Sequence, residues 1–214
     1  MPESRRTFIH TILQPQCSAF LLSVLATVIA SPTLAMSVMK RDFPELVARA
    51  EQIVVGTVSS VREAEDNTGT PMTHVTLSDV TYLKGGGGPT MLTVRFYGGT
   101  AGSVTVRIPD MPTFNVGERD VLFIRNNGHD ICPLVGGWQG RFRVRYDQER
   151  SADVIEDNSG RPIIQLVGRE LVPVARQADT NVTPTPVTAV PMTLDEFQQL
   201  IREELAHPHP IVAQ

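Results

Sequence analysis

Hydrophobic and polar positions alternate along most of the chain after residue 52, at the two-residue period of a strand with one buried face. The alternating runs are rich in Val, Ile, Thr and Phe and contain few strong helix formers. Turn signals separate the runs about every 8 to 12 residues, and residues 66–69 and 157–160 each combine an Asx residue with glycine. The pattern predicts roughly seven or eight short strands in an antiparallel β-barrel or, alternatively, a β-sandwich.

Two segments have the period of a helix instead. Asp42 is placed to cap a short helix, and Pro44 fits its first turn, where a missing N–H costs nothing. Near the C-terminus, Thr193 and Glu196 have capping-box spacing, and apolar residues recur at helical intervals as far as Leu205. The sequence therefore predicts a short N-terminal helix and a C-terminal amphipathic helix, which docks on its own barrel or on a partner.

The first 35 residues are typical of an export signal. Arg5 and Arg6 precede an apolar run over residues 19–30, and Ala35 is a small residue at the expected cleavage position. This run is shorter than the roughly 20 apolar residues that a membrane-spanning helix needs. We expect an exported protein, periplasmic or extracellular, with its signal cleaved near Ala35 and no stable membrane anchor. Residues 4–9 resemble the twin-arginine export motif, and general secretion is the alternative route.

The remaining sequence divides into four parts. Residues 42–176 carry the strand pattern and are predicted to form the β-barrel domain. Residues 177–191 are a Pro- and Thr-rich linker, in which repeated prolines prevent a strand ladder. Residues 192–206 form the predicted C-terminal helix, and residues 207–214 are predicted to be a disordered tail.

Removal of the signal leaves 17 basic and 22 acidic side chains, a net charge of −5. An acidic chain of this kind is not expected to bind nucleic acid. Cys17 leaves with the signal, so Cys132 has no partner for an internal disulfide. A hydrophobic core must then supply the stability of the domain. Cys132 lies among apolar residues, as a buried small side chain would, and a reactive thiol is the alternative.

Nearly half of the chain, residues 46–144, resembles a group of uncharacterised exported bacterial proteins. The matching landmarks are residues 50–58 (AEQIVVGTV), 82–85 (YLKG), 98–102 (GGTAG), 114–119 (FNVGER), 122–123 (LF) and 137–142 (GWQGRF). Their order is similar to that of the netrin-module and tissue-inhibitor-of-metalloproteinase superfamily. The resemblance implies an OB-like antiparallel β-barrel with helices packed at its rim.

The chain lacks the N-terminal cysteine on which inhibitors of that superfamily depend. These metalloproteinase inhibitors chelate the zinc of the enzyme with a disulfide-bonded N-terminal cysteine. The mature N-terminus expected here lies near Met36 and has no cysteine. The resemblance therefore carries an expectation of fold and does not carry this mechanism.

The sequence contains no familiar catalytic motif. It has no G-x-S-x-G nucleophile turn, and the four glycines of residues 85–88 precede Pro89 instead of the lysine of a phosphate loop. His74 and His129 form a metal pair only if the fold brings their strands together. The two Asx-glycine turns lack the spacing of a full calcium loop. We expect no cofactor and no bound metal.

The candidate binding residues lie in one short stretch, and each has two readings. Arg141, Arg143 and Arg145 alternate with apolar residues, so their side chains share one strand face. With Arg95 and Arg107 on neighbouring strands they would form a cationic stripe for carboxylate or phosphate. The alternative is cross-strand pairing with acidic residues, for which the candidates are Glu118, Asp120, Asp147 and Glu149.

Trp138 and Gln139 lie within a glycine-rich segment just before these arginines. Flanking glycines can expose the indole as a binding platform, and a rim or core plug is the alternative. The sequence thus predicts a non-enzymatic binding module for an exported protein or an envelope polymer. A modulator or partner of an exported metalloprotease is the alternative function, suggested by the superfamily resemblance.

Overall fold

The computed structural model describes residues 39–174 and 190–211. The predicted signal peptide, most of the predicted linker and the last three residues lie outside these ranges. The elements, in chain order, are α1 (Phe43–Arg49), β1 (Gln52–Glu65), β2 (Pro71–Lys84), β3 (Leu92–Tyr97), β4 (Gly99–Ala101), β5 (Val104–Val106), β6 (Arg119–Ile124), a 3-10 turn (Gly137–Gly140), β7 (Arg141–Asp147), β8 (Ala152–Asp157), β9 (Ile163–Val167), β10 (Glu170–Pro173) and α2 (Leu194–Ala206). Strands predominate, which confirms the prediction of a mainly β protein.

Six strands form one antiparallel sheet in the order β3-β2-β1-β6-β7-β8. The first two strands are 14 residues each, longer than the short strands expected. Polar residues continue β1 in register with β2 as far as Glu65 opposite Pro71, because backbone pairing does not require an apolar side chain. Asp66 then closes the predicted turn, its carboxylate accepting hydrogen bonds from the backbone N–H groups of Thr68 and Thr70.

Strand β1 is irregular at Gly56. Its register against β2 shifts between Val55 and Thr57, as a β-bulge produces. An added Cβ at Gly56 would lie 3.1 Å from the Cβ of Leu77 and 3.3 Å from the backbone oxygen of Ser78. A glycine within a strand often marks such a bulge.

Both faces of the sheet are covered by apolar side chains. On one face, the strands pack against α1 and α2 around Phe123 and Phe142. On the other, residues of β1, β2, β3 and β6 pack around Phe96 and Phe114. Alternate residues of β6 supply the two faces, Val121 and Phe123 to the first and Leu122 and Ile124 to the second.

Two pairs of short strands lie outside the main sheet. Residues 104–106 pair with β4 instead of returning along β3, because positive-φ residues Gly98 and Gly99 turn the chain out of the sheet before it reverses. Similarly, the chain after residue 160 meets β8 at a single bridge, and β9 pairs with β10. At residues 157–160 the Asx-glycine turn itself forms as the sequence predicts.

Helix α2 packs against its own chain. Thr193 and Glu196 form the predicted capping box. Phe197 is fully buried, and its ring centroid lies 4.9 Å from that of Phe142 and 5.8 Å from that of Phe43. Of the two alternatives for this helix, the structure shows the intramolecular one.

The predicted disordered tail has defined contacts in its first residues. The ring nitrogen Nδ1 of His209 lies 2.6 Å from a carboxylate oxygen of buried Glu204, and the backbone N–H of His209 donates to the other oxygen. A guanidinium nitrogen of Arg169 donates to the carbonyl oxygen of Pro210. His209 and Pro210 therefore contact the rest of the domain. Within the described residues, no helix is both long and apolar enough to cross a membrane.

Candidate functional site

Trp138 lies on the 3-10 turn that connects β6 to β7. Two positive-φ glycines, Gly136 and Gly137, bend the chain into the turn. Gly140 ends it at a close approach, since an added Cβ there would lie 2.6 Å from the carbonyl oxygen of Val135. The side chain of Trp138 is 41% exposed. This exposure is not that of a core plug.

Gln139 was predicted to contact a partner, but its amide is occupied within the chain. Its side-chain oxygen accepts from the backbone N–H of Arg41 at 2.8 Å. Its Nε2 donates to the carbonyl oxygens of Met39 and Gly136. Both N–H donors are thus used. Gln139 ties the N-terminal segment to the turn and steadies the backbone beneath Trp138.

Arg141 is buried, with 3% exposure, beside the fully buried carboxylate of Asp120. Its Nε and Nη2 donate to the two carboxylate oxygens, each at 3.0 Å. It also donates to the carbonyl oxygen of Thr113, forms an ion pair with Glu118 at 2.8 Å and stacks on Phe114, whose ring centroid lies 4.0 Å from the guanidinium carbon. Arg141 is therefore a structural residue and is not free to bind a partner.

The other two arginines of β7 are also paired. Arg143 lies 2.7 Å from Glu118, and Arg145 lies 2.5 Å from Glu156, a partner that the sequence interpretation missed. In the pairing of β7 with β8, Glu156 lies opposite Arg143 and is therefore a diagonal neighbour of Arg145. This relation depends on the register of two strands, which the sequence does not show. Of the four acidic partners considered, Glu118 and Asp120 are confirmed. Asp147 instead accepts hydrogen bonds from backbone N–H groups just after β7.

The wider cationic stripe is not formed. Arg95 lies on β3, at the opposite edge of the main sheet from β8, and the order of the strands places three others between β3 and β7. Arg107 follows β5, outside the main sheet. The prediction that the three arginines of β7 share one face is correct, whereas their continuation across the sheet is wrong.

Burial and pairing affect the two acidic partners of Arg141 in opposite directions. Burial raises the pKa of Asp120, although the Arg141 guanidinium acts against the shift. At Glu118 burial also acts upward, but hydrogen bonds from Asn115 and Arg141 outweigh it and lower the pKa to about 2. Glu118 is thus a weak base that stays ionised at neutral pH.

Two pockets open on either side of Trp138. The first has a volume of about 520 Å³, and Glu118, Arg143, Asn158 and Arg161 are among the residues that line it. The second has a volume of about 350 Å³ and a more apolar wall. Asn158 and Arg161, which border both pockets, belong to a segment that was read from the sequence only as a turn. The folding of that turn against β7 brings them to the site.

The metal sites considered from the sequence were a His74 and His129 pair and the two Asx-glycine turns. Residues 39–174 and 190–211 contain no group of three or more His, Cys, Asp or Glu side chains that could hold a metal ion. In the second Asx-glycine turn, Asp157 accepts hydrogen bonds from the backbone N–H groups of Ser159 and Arg161. Its carboxylate also pairs with the Arg161 guanidinium. The turn therefore uses the oxygens that a calcium ion would need.

Cys132 lies in a bend after β6. It packs against the apolar cluster around Phe96 and Phe114. Burial raises the pKa of its thiol, so the reactive thiolate is disfavoured. The residue fits the reading of a small, partly buried apolar side chain.

Comparison with known proteins adds no assignment to this site: no family model, no curated protein and no solved structure matches the chain.

Proposed function

We propose that the protein is a non-enzymatic binding module whose contact surface is centred on Trp138, and that it engages an exported protein or a polymer of the cell envelope. The observation that carries this proposal is the exposed indole on a rigid turn, with a pocket on each side. Glycine geometry and the hydrogen bonds of Gln139 hold the turn in place. A large aromatic side chain fixed in advance loses little entropy on binding. Export itself rests on the N-terminal sequence.

The state of the ionisable groups supports a binding role over a catalytic one. A general base works best with a pKa near the operating pH. The pKa of Glu118 is lowered to about 2, so this carboxylate is a poor proton acceptor at neutral pH. The Arg141 guanidinium is held by Asp120 and Glu118.

We also propose that the main sheet belongs to an OB-like barrel. The bulge at Gly56 gives β1 the bend that a curled sheet needs. Met192 links β8 to β9 through its backbone. Its carbonyl oxygen accepts a hydrogen bond from the N–H of Ile155 on β8, and its own N–H donates to the carbonyl oxygen of Ile163 on β9. Both features favour a sheet that coils towards closure.

Sedimentation with an envelope fraction tests the binding role. Purified chain is mixed with the insoluble envelope of the producing organism, and bound protein is quantified for wild type, Trp138→Ala and Tyr146→Ala. Tyr146 is a matched control, because it is a 59% exposed aromatic residue on β7 that lines neither pocket. We expect saturable binding that Trp138→Ala lowers by at least about tenfold, the equivalent of roughly 1.4 kcal/mol, and that Tyr146→Ala retains. Equal binding of both variants, or none by wild type, would contradict the proposal.

A further inference from the structure

We infer that the two pockets beside Trp138 bind a neutral polysaccharide chain, with the indole as the stacking surface for one sugar ring. The inference rests on the proposed binding function and names the ligand class of the same surface. Its basis is the combination of an exposed aromatic side chain that lines both pockets, paired charges and unused hydrogen-bonding groups along the first pocket.

The charges around the pockets are already balanced within the protein. Arg143 pairs with Glu118, and Arg161 pairs with Asp157, each at 2.7 Å. The remaining cations that line either pocket are likewise paired: Lys40 with Glu170, Arg41 with Glu45, and Arg141 with Asp120 and Glu118. An anionic ligand would have to compete with these carboxylates. The surface therefore favours a neutral ligand over a phosphate or a nucleic acid.

Hydrogen-bonding capacity nevertheless remains. A guanidinium has five N–H donors, and Arg143 uses one of them for Glu118. The side-chain amide of Asn158 forms no hydrogen bond to another described residue, and the Ser159 hydroxyl, which donates to Asp157, can still accept. Carboxylate lone pairs stand beside these donors. Sugar hydroxyls both donate and accept, so vicinal hydroxyls match such a mixed lining.

The apolar part of the surface suits the other side of a sugar. A pyranose ring exposes C–H groups on its faces, and an indole face can cover them with a large apolar area. The second pocket continues this character with Ile163, Leu171 and Pro173 in its wall. A chain laid across Trp138 would thus pass from a polar pocket to a more apolar one. The core of a protein interface, in contrast, is depleted of charge, and the first pocket is lined by Asp110, Glu118 and three arginines.

The sole tryptophan of the chain makes the inference directly measurable, because intrinsic fluorescence reports on Trp138 alone. The full chain is titrated with neutral hexasaccharides of glucose, mannose, galactose and N-acetylglucosamine, and with an oligogalacturonate of equal length as the anionic probe. We expect saturable binding of at least one neutral hexasaccharide. Because no net charge is exchanged, raising NaCl from about 50 to about 500 mM should change its affinity less than about twofold.

Variants separate the ring contact from the polar contacts, with calorimetry as the readout since it needs no tryptophan. Trp138→Ala should weaken binding of the neutral hexasaccharide by at least about tenfold, Asn158→Ala by about threefold, and Tyr146→Ala not measurably. Binding of none of the neutral probes, or tighter and salt-sensitive binding of the oligogalacturonate, would overturn the inference. The envelope assay distinguishes failure of this inference from failure of the binding function. If sedimentation depends on Trp138 and is abolished by protease treatment of the envelope, the protein is a binding module and only the glycan assignment is wrong.

Discussion

At the scale of single residues, Arg141 lies where the apolar cluster on one face of the sheet gives way to charged side chains. Its alternation with Phe142 places it on the face where Leu122 and Ile124 belong to an apolar cluster. The cluster ends at Asp120, so a cation there is enclosed by carboxylates and by the ring of Phe114. A buried ion pair gains little net stability when intact, but loss of one partner leaves a charge without solvent.

Replacing Arg141 by Met should destabilise the fold strongly. The substitution leaves Asp120 buried and unpaired, for which we expect a loss of about 3 to 5 kcal/mol in the free energy of unfolding. Urea unfolding measures the change. The matched control is Arg143→Met on the same strand face, where the guanidinium is 37% exposed and its partner Glu118 keeps hydrogen bonds from Asn115 and Arg141, so the loss should be about 0 to 1 kcal/mol. Equal losses in the two variants would contradict the assigned burial.

The pKa of Glu118 leads to a prediction on pH dependence. Folding lowers this pKa from its usual value of 4.5 to about 2, so Glu118 stabilises the fold above pH 4.5 and this contribution is lost as the pH falls through about 2. In Glu118→Gln the contribution is missing. Its unfolding free energy should therefore decline less steeply with acidification than that of wild type over this interval. Asp120, whose pKa is raised, titrates in the opposite sense in both proteins. Parallel pH profiles would refute the role given to Glu118.

At the scale of elements, the bulge in β1 and the docking of α2 shape the domain. Gly56 allows close contact with β2 where a side chain would meet Leu77 and Val80. The 13-residue helix α2 would be marginal alone and is stabilised by burial of its apolar face.

Gly56→Val should lower thermal stability by an amount equivalent to about 1 to 3 kcal/mol, because the new side chain overpacks the contact with β2. Gly86→Ala is the control, since an added Cβ there meets nothing within 4 Å and the backbone has no positive φ. Thermal unfolding of the two variants is compared with wild type. An unchanged midpoint in Gly56→Val would show that β1 does not need its glycine.

Truncation after Pro191 should produce an aggregation-prone chain, because removal of α2 uncovers Phe43, Phe123 and Phe142. A point variant makes the same test without deletion: Phe197→Ala should cost about 3 to 5 kcal/mol, whereas Gln199→Ala on the exposed face should cost less than about 0.5 kcal/mol. Light scattering and urea unfolding are the measurements. A truncated chain that stays monomeric with native stability would mean that the helix is dispensable to the core.

At the scale of the whole molecule, both edges of the main sheet are covered by irregular chain. The side chain of Asn127 accepts from the N–H of Arg95 and donates to the carbonyl oxygen of Thr93, so it occupies the free edge of β3. Met192 performs the same task at β8 through its backbone. Covered edges protect a sheet against pairing with other molecules.

Asn127→Ala should increase self-association, because it frees one N–H and one carbonyl group on β3. The effect should be clearest in mild denaturant, where the flanking loop loosens, and size-exclusion chromatography with light scattering measures it. His129→Ala is a control in the same turn, since its side chain is exposed and its backbone has no positive φ. Equal association of the two variants would show that Asn127 does not protect the edge.

The sequence by itself determined the local features of this protein. Strand periodicity, the cap at Asp42, the capping box at Thr193, the Asx turns and the shared face of Arg141 and Arg143 all depend on residues within one or two turns of each other. Such features need only the stereochemistry of a short segment.

Only the tertiary structure decided which strands pair and where α2 docks. It also decided that Gln139 donates a hydrogen bond to the N-terminal segment and that Glu156 pairs with Arg145. The two pockets beside Trp138 likewise join residues from separate loops. These contacts are chosen by complementarity between surfaces far apart in the chain, and a single segment carries no record of its partner.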